Sequence, residues 1–209
     1  EGAQGAFLDV IHGTQKFVTS SFTTAGSACA NLGVGPVMVD NVVGVIKAYI
    51  TRVGEGPMPT ELKDDLGVQM REKGGEYGTT TGRARRCGWF DAVLGLKSVY
   101  LNGYTELALT KLDVLTDINP IKICVGYELD GETLGYPPEA TVDLARCQPI
   151  YEEMPGWTGD LSEIKEYDDL PANARAYVER LEDLLGVDIS AVSVGPGREQ
   201  TIYRDEPED

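Results

Sequence analysis

The chain has 209 residues, a length that suits one large domain or two small ones. It carries 34 acidic and 18 basic side chains, a formal net charge of −16, which disfavours nucleic acid or an anionic membrane as the main partner because both are bound by basic faces. Apolar residues make up 42% of the chain, enough for a core, and no apolar run approaches the roughly 20 residues of a membrane span.

The cysteines and the histidine limit the kinds of metal and redox site. Cys29, Cys87, Cys124 and Cys147 form no Cys-x-x-Cys pair, and His12 is the only histidine. These are too few ligands, too far apart, for a zinc site. An even count permits two disulfides, but the low density favours buried, free thiols in a reducing cytoplasm.

The first third of the chain alternates loops with two predicted helices. Residues 1–31 are rich in Gly, Ser and Thr and are typical of loops with short strands. Pro36 can begin a helix, and the helical spacing of apolar residues then predicts one that ends before Gly54. These residues are Val39, Val42, Val43, Ile46 and Ile50. Residues 60–73 are polar and predict a short solvated helix closed by Gly74-Gly75.

The remainder interleaves strands with helices. The pattern predicts helices at about 90–101 and between Pro171 and Gly186, and an acidic surface excursion at 130–170. Strand-like runs occupy 107–109, 121–125, 189–194 and 201–203. This alternation predicts an α/β fold, with a mixed, largely parallel sheet flanked by helices.

A run of hydroxyls and guanidiniums lies between the first two predicted helical regions and the third. Residues 79–86 read Thr-Thr-Thr-Gly-Arg-Ala-Arg-Arg, a local positive cluster in an acidic chain. Arginine forks match carboxylate and phosphate oxygens, and glycine lets the backbone approach a ligand, so the run indicates a site for small anions. Because closely spaced arginines repel one another without a counter-charge, we expect this loop to be mobile when empty.

The segment Thr110-Lys111-Leu112-Asp113 follows a predicted strand. An aspartate in this pattern can accept hydrogen bonds from the ring N–H and the exocyclic amine of guanine, a pair of donors that adenine lacks. A solvated ion pair at the end of a strand is the competing interpretation, and on four residues alone it is favoured.

Two further segments could contact a nucleotide. The glycines of Ser193-Val194-Gly195-Pro196-Gly197 expose backbone groups that could contact a purine, although on this segment alone a simple turn is the favoured interpretation. Gln4 and the hydroxyls around Thr19 could hold a phosphate or form a turn network. A Walker-type phosphate loop and a Gly-x-Gly-x-x-Gly motif are absent from the sequence, and His12 has no nucleophile motif beside it.

Taken in order, these segments resemble the adenylosuccinate synthetase family. The matching pieces are Glu1-Gly2-Ala3-Gln4-Gly5, Val18-Thr19-Ser20-Ser21, Thr23-Thr24-Ala25-Gly26, Lys47-Ala48-Tyr49, Thr51-Arg52-Val53-Gly54, Gly56-Pro57, Pro59-Thr60-Glu61-Leu62, residues 78–86, Gly88-Trp89, residues 109–115, Met154-Pro155-Gly156-Trp157 and Ser193-Val194-Gly195-Pro196. The resemblance runs from residue 1 to about residue 204, and a series in this order is far more specific than any single piece.

The resemblance implies a cytoplasmic, homodimeric ligase that joins IMP to L-aspartate using GTP and Mg²⁺. The products are adenylosuccinate, GDP and phosphate, in the first committed step from IMP to AMP. In the family GTP first phosphorylates the IMP oxygen at C6, and the aspartate amine then displaces phosphate. Phosphorylation is needed because a carbonyl oxygen is a poor leaving group, and catalysis rests mainly on positioning and charge stabilisation.

By position, the resemblance also implies the binding residues. IMP would be held by Gln4, Thr19, Val53 and Arg83. Aspartate would be held by Thr79, Thr80, Thr81, Gly82, Arg83, Ala84 and Arg85. GTP would be held by Arg85, Lys111, Leu112, Asp113, Ser193, Val194 and Gly195. The chain departs from the family pattern at Gln15-Lys16 and Phe22, beside the expected IMP-phosphate position.

We expect the chain to be the carboxyl-terminal half of such an enzyme, with its IMP and aspartate loops in 1–86 and its guanine-binding part in 87–209. The catalytic residues and Mg²⁺ ligands are expected in an amino-terminal half, so none is assigned here and the chain alone is expected to be inactive. A non-catalytic nucleotide- or aspartate-binding module is the main alternative, and a structural domain that only dimerises is another.

Overall fold

A computed structural model describes residues 4–79 and 82–204. Its strands, in chain order, are β1 Val43–Lys47, β2 Ile50–Arg52, β3 Arg86–Gly88, β4 Phe90–Asp91, β5 Glu106–Thr110, β6 Ile121–Leu129, β7 Glu132–Leu134, β8 Gln148–Met154, β9 Ile189–Ser193 and β10 Thr201–Tyr203. Its α-helices are α1 Gly26–Leu32, α2 Asp65–Gly74, α3 Ala92–Asn102, α4 Thr141–Leu144 and α5 Ala172–Leu185.

The first sheet has the strand order β1-β5-β9-β10. Strands β1, β5 and β9 are parallel, and β10 is antiparallel to β9. The register pairs Lys47 with Thr110 and Leu109 with Val192. The carboxyl ends of the three parallel strands therefore meet at one edge of the sheet, the edge where open α/β sheets bind ligands.

The other strands form mostly antiparallel pairs. Strand β6 is parallel to β4 and antiparallel to β7 and β8, while β2 and β3 form a separate antiparallel pair. The mixed α/β fold with flanking helices is confirmed. Parallel pairing predominates in the first sheet, whereas antiparallel pairing predominates in the sheet around β6.

One main cluster of buried side chains connects the helices to the first sheet. It includes Ala48, Tyr49 and Met70 as well as Tyr177 and Ile202, so residues from both halves of the sequence contribute to it. Tyr177 on α5 is fully buried and donates a 2.6 Å hydrogen bond to the carbonyl oxygen of Ala48. This bond fixes α5 against the turn between β1 and β2.

The helix predicted after Pro36 is wrong. Pro36–Met38 forms a single 3-10 turn, and the apolar run that follows is divided between β1 and β2. β-Branched residues suit a pleated surface, and β5 supplies the pairing partner, so the tertiary context decides against the helical spacing. Gly44 fits the strand because a Cβ there would lie 2.6 Å from the Leu107 side chain.

Two loop predictions also need correction. Within the described part of 1–31 the structure has helix α1 and no strand. Residues 130–143 are mostly exposed, as predicted for a surface excursion, but residues 148–154 form β8 and pair along β6. The helices predicted at 60–73, at about 90–101 and between Pro171 and Gly186 are confirmed as α2, α3 and α5, although α2 begins later than predicted, at Asp65. The predicted strands of the second half are confirmed too.

All four cysteines are free thiols. Cys87, Cys124 and Cys147 are buried, as predicted, whereas Cys29 is only partly buried. Over the described ranges, every helix is too short or too polar to span a bilayer.

Candidate functional site

The predicted guanine segment lies at the carboxyl end of β5. Lys111 adopts a left-handed conformation, with φ 66°, and begins a 3-10 helix at Leu112–Leu115. Leu112 is fully buried and Asp113 is half-buried. Burial raises the pKa of the Asp113 carboxyl above its ordinary value, while the positive charges of Lys111 and Lys73 act in the opposite direction.

The segment Ser193–Gly195 lies at the end of the neighbouring strand, β9. The Ser193 hydroxyl donates to the carbonyl oxygen of Gly195 at 2.8 Å, and the backbone N–H of Val194 donates to the carbonyl oxygen of Gln200 at 2.8 Å. A Cβ on Gly195 would lie 2.3 Å from Oε1 of Gln200, so a larger residue here would displace the Gln200 amide. Parallel pairing of β5 with β9 thus brings both predicted guanine-binding segments to the same edge.

The anion loop is defined as residues 78–85, and Tyr77 pairs with Ala84 across its two ends. The backbone N–H of Gly78 donates to the carbonyl oxygen of Arg83 at 2.8 Å, and that of Gly82 donates to the carbonyl oxygen of Gly78 at 2.7 Å. Gly82 has φ +64°, a conformation that favours glycine. Thr79, Gly82, Arg83 and Ala84 are exposed, and the predicted contacts Thr80 and Thr81 lie outside the described residues.

A buried carboxylate lies under the anion loop. Glu76 is 1% exposed, and its two oxygens accept hydrogen bonds from Lys47 Nζ at 2.7 and 2.9 Å. They also accept from the Tyr49 hydroxyl at 2.7 Å and from Arg85 Nη1 at 2.7 Å. Burial alone would raise the pKa of Glu76, but its hydrogen bonds to Lys47, Tyr49 and Arg85 outweigh burial and lower it. The carboxylate is therefore held ionised.

Lys111 connects the two predicted sites. Its Nζ donates a 2.8 Å hydrogen bond to the carbonyl oxygen of Gly74, the last residue of α2 and two residues before Glu76. The guanine segment and the base of the anion loop are therefore joined directly.

The expectation that the closely spaced arginines lack a counter-charge is wrong. Arg85 is paired with Glu76, and Arg86 forms a two-bond ion pair with Glu61, at 2.8 Å from Nε and 2.7 Å from Nη2. Arg86 also donates to the carbonyl oxygens of Gly54 and Gly56. The mobility of the empty loop, which rested on the missing counter-charge, stays a prediction.

The predicted IMP residues lie on a second group of loops. Gln4 is exposed and Thr19 is half-buried, with its backbone N–H bonded to the carbonyl oxygen of Leu8 at 2.8 Å. Val53 is 42% exposed and follows Arg52. Arg52 Nη2 donates to the Thr14 hydroxyl at 2.9 Å and to a backbone carbonyl of the same turn at 2.8 Å. Arg52 thus ties the loop that carries Thr19 to the end of β2, directly before Val53.

The buried carboxylate of Asp9 holds the backbone of the loop that carries Thr19. It is fully buried and accepts hydrogen bonds from the backbone N–H groups of Ile11, His12 and Thr23. Burial acts to raise the pKa of Asp9, but these hydrogen bonds together lower it. His12 itself is exposed, in keeping with a surface histidine.

The sequence interpretation missed the residues that support the predicted contacts. They are Asp9, Arg52, Glu61 and Glu76. The available signal was one of charge, since Glu61 and Glu76 are the acidic partners of a basic run that was interpreted without them.

The described residues contain no group of three or more His, Cys, Asp or Glu side chains that could hold a metal ion. A cleft of about 630 Å³ lies beside Arg86, between the loop at 56–63 and the segment at 141–148. None of the predicted substrate contacts lines this cleft.

Comparison with known proteins assigns the chain to a family. The family model described as adenylosuccinate synthetase matches residues 1–202. The chain belongs to the adenylosuccinate synthetase family.

Individual relatives agree with this family. The chain is 80% identical over 203 residues to the adenylosuccinate synthetase of Methanothrix thermoacetophila, covering 97% of this chain and 48% of the relative. It is 65% identical over 205 residues to that of Methanosarcina barkeri, covering 98% and 48%. Among solved structures, the fully ligated adenylosuccinate synthetase of Plasmodium falciparum superposes with a TM-score of 0.95 at 43% identity, covering 98% of this chain and 49% of that one.

The chain thus spans about half the length of the curated adenylosuccinate synthetases it matches. These coverages do not support the expectation that the chain is specifically the carboxyl-terminal half, or that an amino-terminal half is missing. The family assignment is independent of that point, because it rests on nearly the whole of this chain.

Proposed function

We propose that this chain supplies the substrate-holding loops and the guanine-reading segments of a GTP-dependent ligase that joins IMP and L-aspartate. The products are adenylosuccinate, GDP and phosphate. The observation that carries the proposal is the bond from Lys111 to the carbonyl oxygen of Gly74, which joins the guanine segment to the base of the anion loop. A protein that ligates two substrates at the expense of a nucleotide needs these sites next to each other.

The guanine reader is proposed at Lys111, Leu112 and Asp113. The Asp113 carboxylate accepts from the two guanine donors, and its half-buried position strengthens those bonds relative to water. Ser193, Val194 and Gly195 line another edge of the base from the neighbouring strand. ATP is rejected because its base would leave the carboxylate without those donors.

The anion loop is proposed to bind aspartate and the transferred phosphate. Thr79, Thr80, Thr81, Gly82 and Ala84 supply hydroxyl and backbone donors, and Arg83 binds the aspartate carboxylate and the IMP ribose. Arg85 serves both aspartate and the GTP phosphates. Positive charge at the point where GTP phosphorylates the C6 oxygen of IMP stabilises the transferring group.

IMP is proposed to lie between the Thr19 loop and the end of β2. Gln4 and Thr19 hold it by hydrogen bonds, with Thr19 at the 5′-phosphate, and Val53 contacts the ribose through its backbone. The bond from Arg52 to the turn at Thr14 supports this arrangement by fixing the two elements relative to each other.

Mg²⁺ is the proposed cofactor of the complete enzyme and would screen charge on the GTP phosphates. The described residues contain no cluster of side chains that could hold the ion. The complete enzyme is proposed to be a cytoplasmic homodimer.

The test uses a full-length protein, referred to as the chimera, in which this chain replaces the matched 203 residues of the Methanothrix thermoacetophila relative. Calorimetric titration of the chimera with GDP, ATP, IMP and aspartate should show binding of GDP and IMP, with ATP at least about tenfold weaker than GDP. Equal binding of ATP and GDP would reject the guanine reader, and no binding of any of the four would favour a structural role.

The purified 209-residue chain is proposed to be inactive by itself, because it spans about half the length of the enzymes it matches. GTP hydrolysis that depends on both IMP and aspartate, catalysed by this chain alone, would overturn that proposal. A non-catalytic binding module is the second candidate function. It would bind GDP in the chimera without any ligation.

A further inference from the structure

We propose that Glu76 is a positioning residue that aims Arg85 at the anionic substrates of the ligation. This inference rests on the proposed function and adds a residue to it. No substrate contact is assigned to Glu76, which is 1% exposed and lies beneath the loop.

The first observation is the arrangement of donors around the carboxylate. Oε1 accepts from Lys47 and Tyr49, and Oε2 accepts from Lys47 and Arg85, all between 2.7 and 2.9 Å. These three side chains come from the end of β1, the turn before β2, and the far end of the anion loop. One carboxylate therefore joins the turn between β1 and β2 to the end of the anion loop, which are distant in sequence.

The second observation is that Glu76 and Arg85 are also joined through the backbone. The N–H of Arg85 donates to the carbonyl oxygen of Glu76 at 2.9 Å, and the next pair, Tyr77 and Ala84, is bridged. The Arg85 backbone is fixed by the first bond and its guanidinium by the bond from Nη1. A guanidinium has five N–H donors in a rigid fork, so a bond through Nη1 leaves donors for a ligand anion and fixes their direction.

The third observation concerns charge. The pKa of Lys47 is lowered mainly by burial, although Glu76 acts to raise it. Arg85 and Lys111 lie close enough for their positive charges to lower it further. Without the Glu76 carboxylate, the positive charges would repel one another around a buried gap. With it, the cluster is held in place and keeps the net positive charge that an anion requires.

A neutral glutamine cannot reproduce this arrangement. Its amide has one acceptor oxygen and one donor nitrogen, and the nitrogen would face either Tyr49 and Lys47 or Lys47 and Arg85. In either orientation the negative charge is gone, so the charge-assisted bond that holds Arg85 is lost or weakened. The Glu76→Gln variant should therefore loosen Arg85 while keeping nearly the same side-chain volume.

The experiment measures the KM for each substrate in the chimera. The Glu76→Gln variant should raise the KM for aspartate and for GTP by about tenfold or more, because a charge-assisted bond is lost. The KM for IMP should stay within about twofold. The matched control is Glu152→Gln. It removes a carboxylate on β8 that is bonded to Arg180 of α5, and it should leave all three KM values unchanged.

A double-mutant cycle with Arg85→Met separates positioning from a general structural role. If Glu76 acts through Arg85, Glu76→Gln should add less than about twofold to the effect of Arg85→Met on the KM for aspartate. The proposal would be contradicted if the two substitutions raised the KM for aspartate independently, so that the double variant showed the product of the two single effects. Unchanged KM values in the Glu76→Gln single variant would also contradict it.

Thermal unfolding shows whether each variant is folded. Should Glu76→Gln not fold, Glu76→Asp provides the test, since it keeps the charge but is one methylene too short to reach all three donors. It should raise the KM for aspartate and GTP, and an unchanged KM would overturn the proposal. An unsubstituted chimera that is folded but makes no adenylosuccinate would instead reject the proposed function on which this inference rests.

Discussion

The ammonium of Lys111 donates a 2.8 Å hydrogen bond to the carbonyl oxygen of Gly74. This bond links the residues after β5 to the end of α2, directly before the buried Glu76. A guanine base bound by Lys111 and Asp113 would therefore lie close to Glu76, which holds Arg85 of the anion loop.

The Asp113→Asn variant of the chimera should lose guanine recognition. Asparagine offers guanine one acceptor and one donor, so one good hydrogen bond is lost and a donor–donor contact is created. We expect the KM for GTP to rise by about 100-fold, the equivalent of about 3 kcal/mol. Xanthosine triphosphate has a carbonyl at C2 and should become the better substrate, as steady-state rates with both nucleotides would show. Retention of the GTP preference would remove Asp113 as the reader.

The Gly74→Ala substitution should destabilise the fold because the new methyl group clashes with Tyr49. A Cβ at Gly74 would lie 2.2 Å from the Tyr49 hydroxyl oxygen, so overpacking should cost about 1–3 kcal/mol in the free energy of unfolding. The Tyr49→Phe variant removes the clashing atom, and the two substitutions together should cost less than the sum of their separate effects. Denaturant unfolding of the two single variants and the double variant measures this coupling, and strict additivity would show that the contact is relieved elsewhere.

The Arg52→Lys substitution should weaken IMP binding alone. Arg52 donates to the carbonyl oxygen of Glu55, to the Thr14 hydroxyl and to the carbonyl oxygen of Phe17. An ammonium cannot span these acceptors as a fork, so the loop that carries Thr19 should loosen. The KM for IMP in the chimera should rise about tenfold while the KM for GTP is unchanged. An equal rise in both would point to general unfolding.

Asp91 should make stability pH-dependent. It is 1% exposed, accepts a 2.6 Å bond from the Tyr127 hydroxyl, and caps α3 through the N–H of Leu94. Burial raises the pKa of Asp91 from 3.8 to about 6, against the opposing effect of these hydrogen bonds. Between these two pH values the folded state binds more protons than the unfolded state, so the contribution of Asp91 to stability is largest below pH 3.8 and falls as the pH rises to 6.

The Asp91→Asn variant isolates this effect because asparagine does not titrate. Relative to the parent, the variant should become more stable by about 2 kcal/mol between pH 4 and pH 7. Urea denaturation of both proteins at these two pH values provides the comparison. A difference between the proteins that does not change with pH would show that Asp91 is not titrating in this range.

Much of the fold could be predicted where local and tertiary preferences agree. Helix α5 combines a proline start, an apolar stripe and a glycine stop, and it lies where these signals place it. The run around Val43 and Ile46 does not behave in this way. Its apolar spacing is helical, but pairing with β5 determines its conformation, and a distant strand leaves no signal in the local sequence.

The site shows the same division. The contacts proposed for substrates lie in short motifs with glycine, threonine and arginine, which the sequence displays directly. The residues that hold those contacts do not. Glu76 is nine residues from Arg85, and Glu61 is 25 residues from Arg86, so only the fold reveals which carboxylate neutralises which arginine.

The central claim is that these loops and strand ends serve the ligation of IMP to aspartate with GTP. The most direct test is the formation of adenylosuccinate by the chimera, followed by chromatographic separation of the nucleotides. The account predicts one adenylosuccinate for each GDP formed, only when IMP, aspartate and GTP are all present, and little or none with ATP. A folded chimera that forms no adenylosuccinate, or that forms it equally well with ATP, would contradict the account.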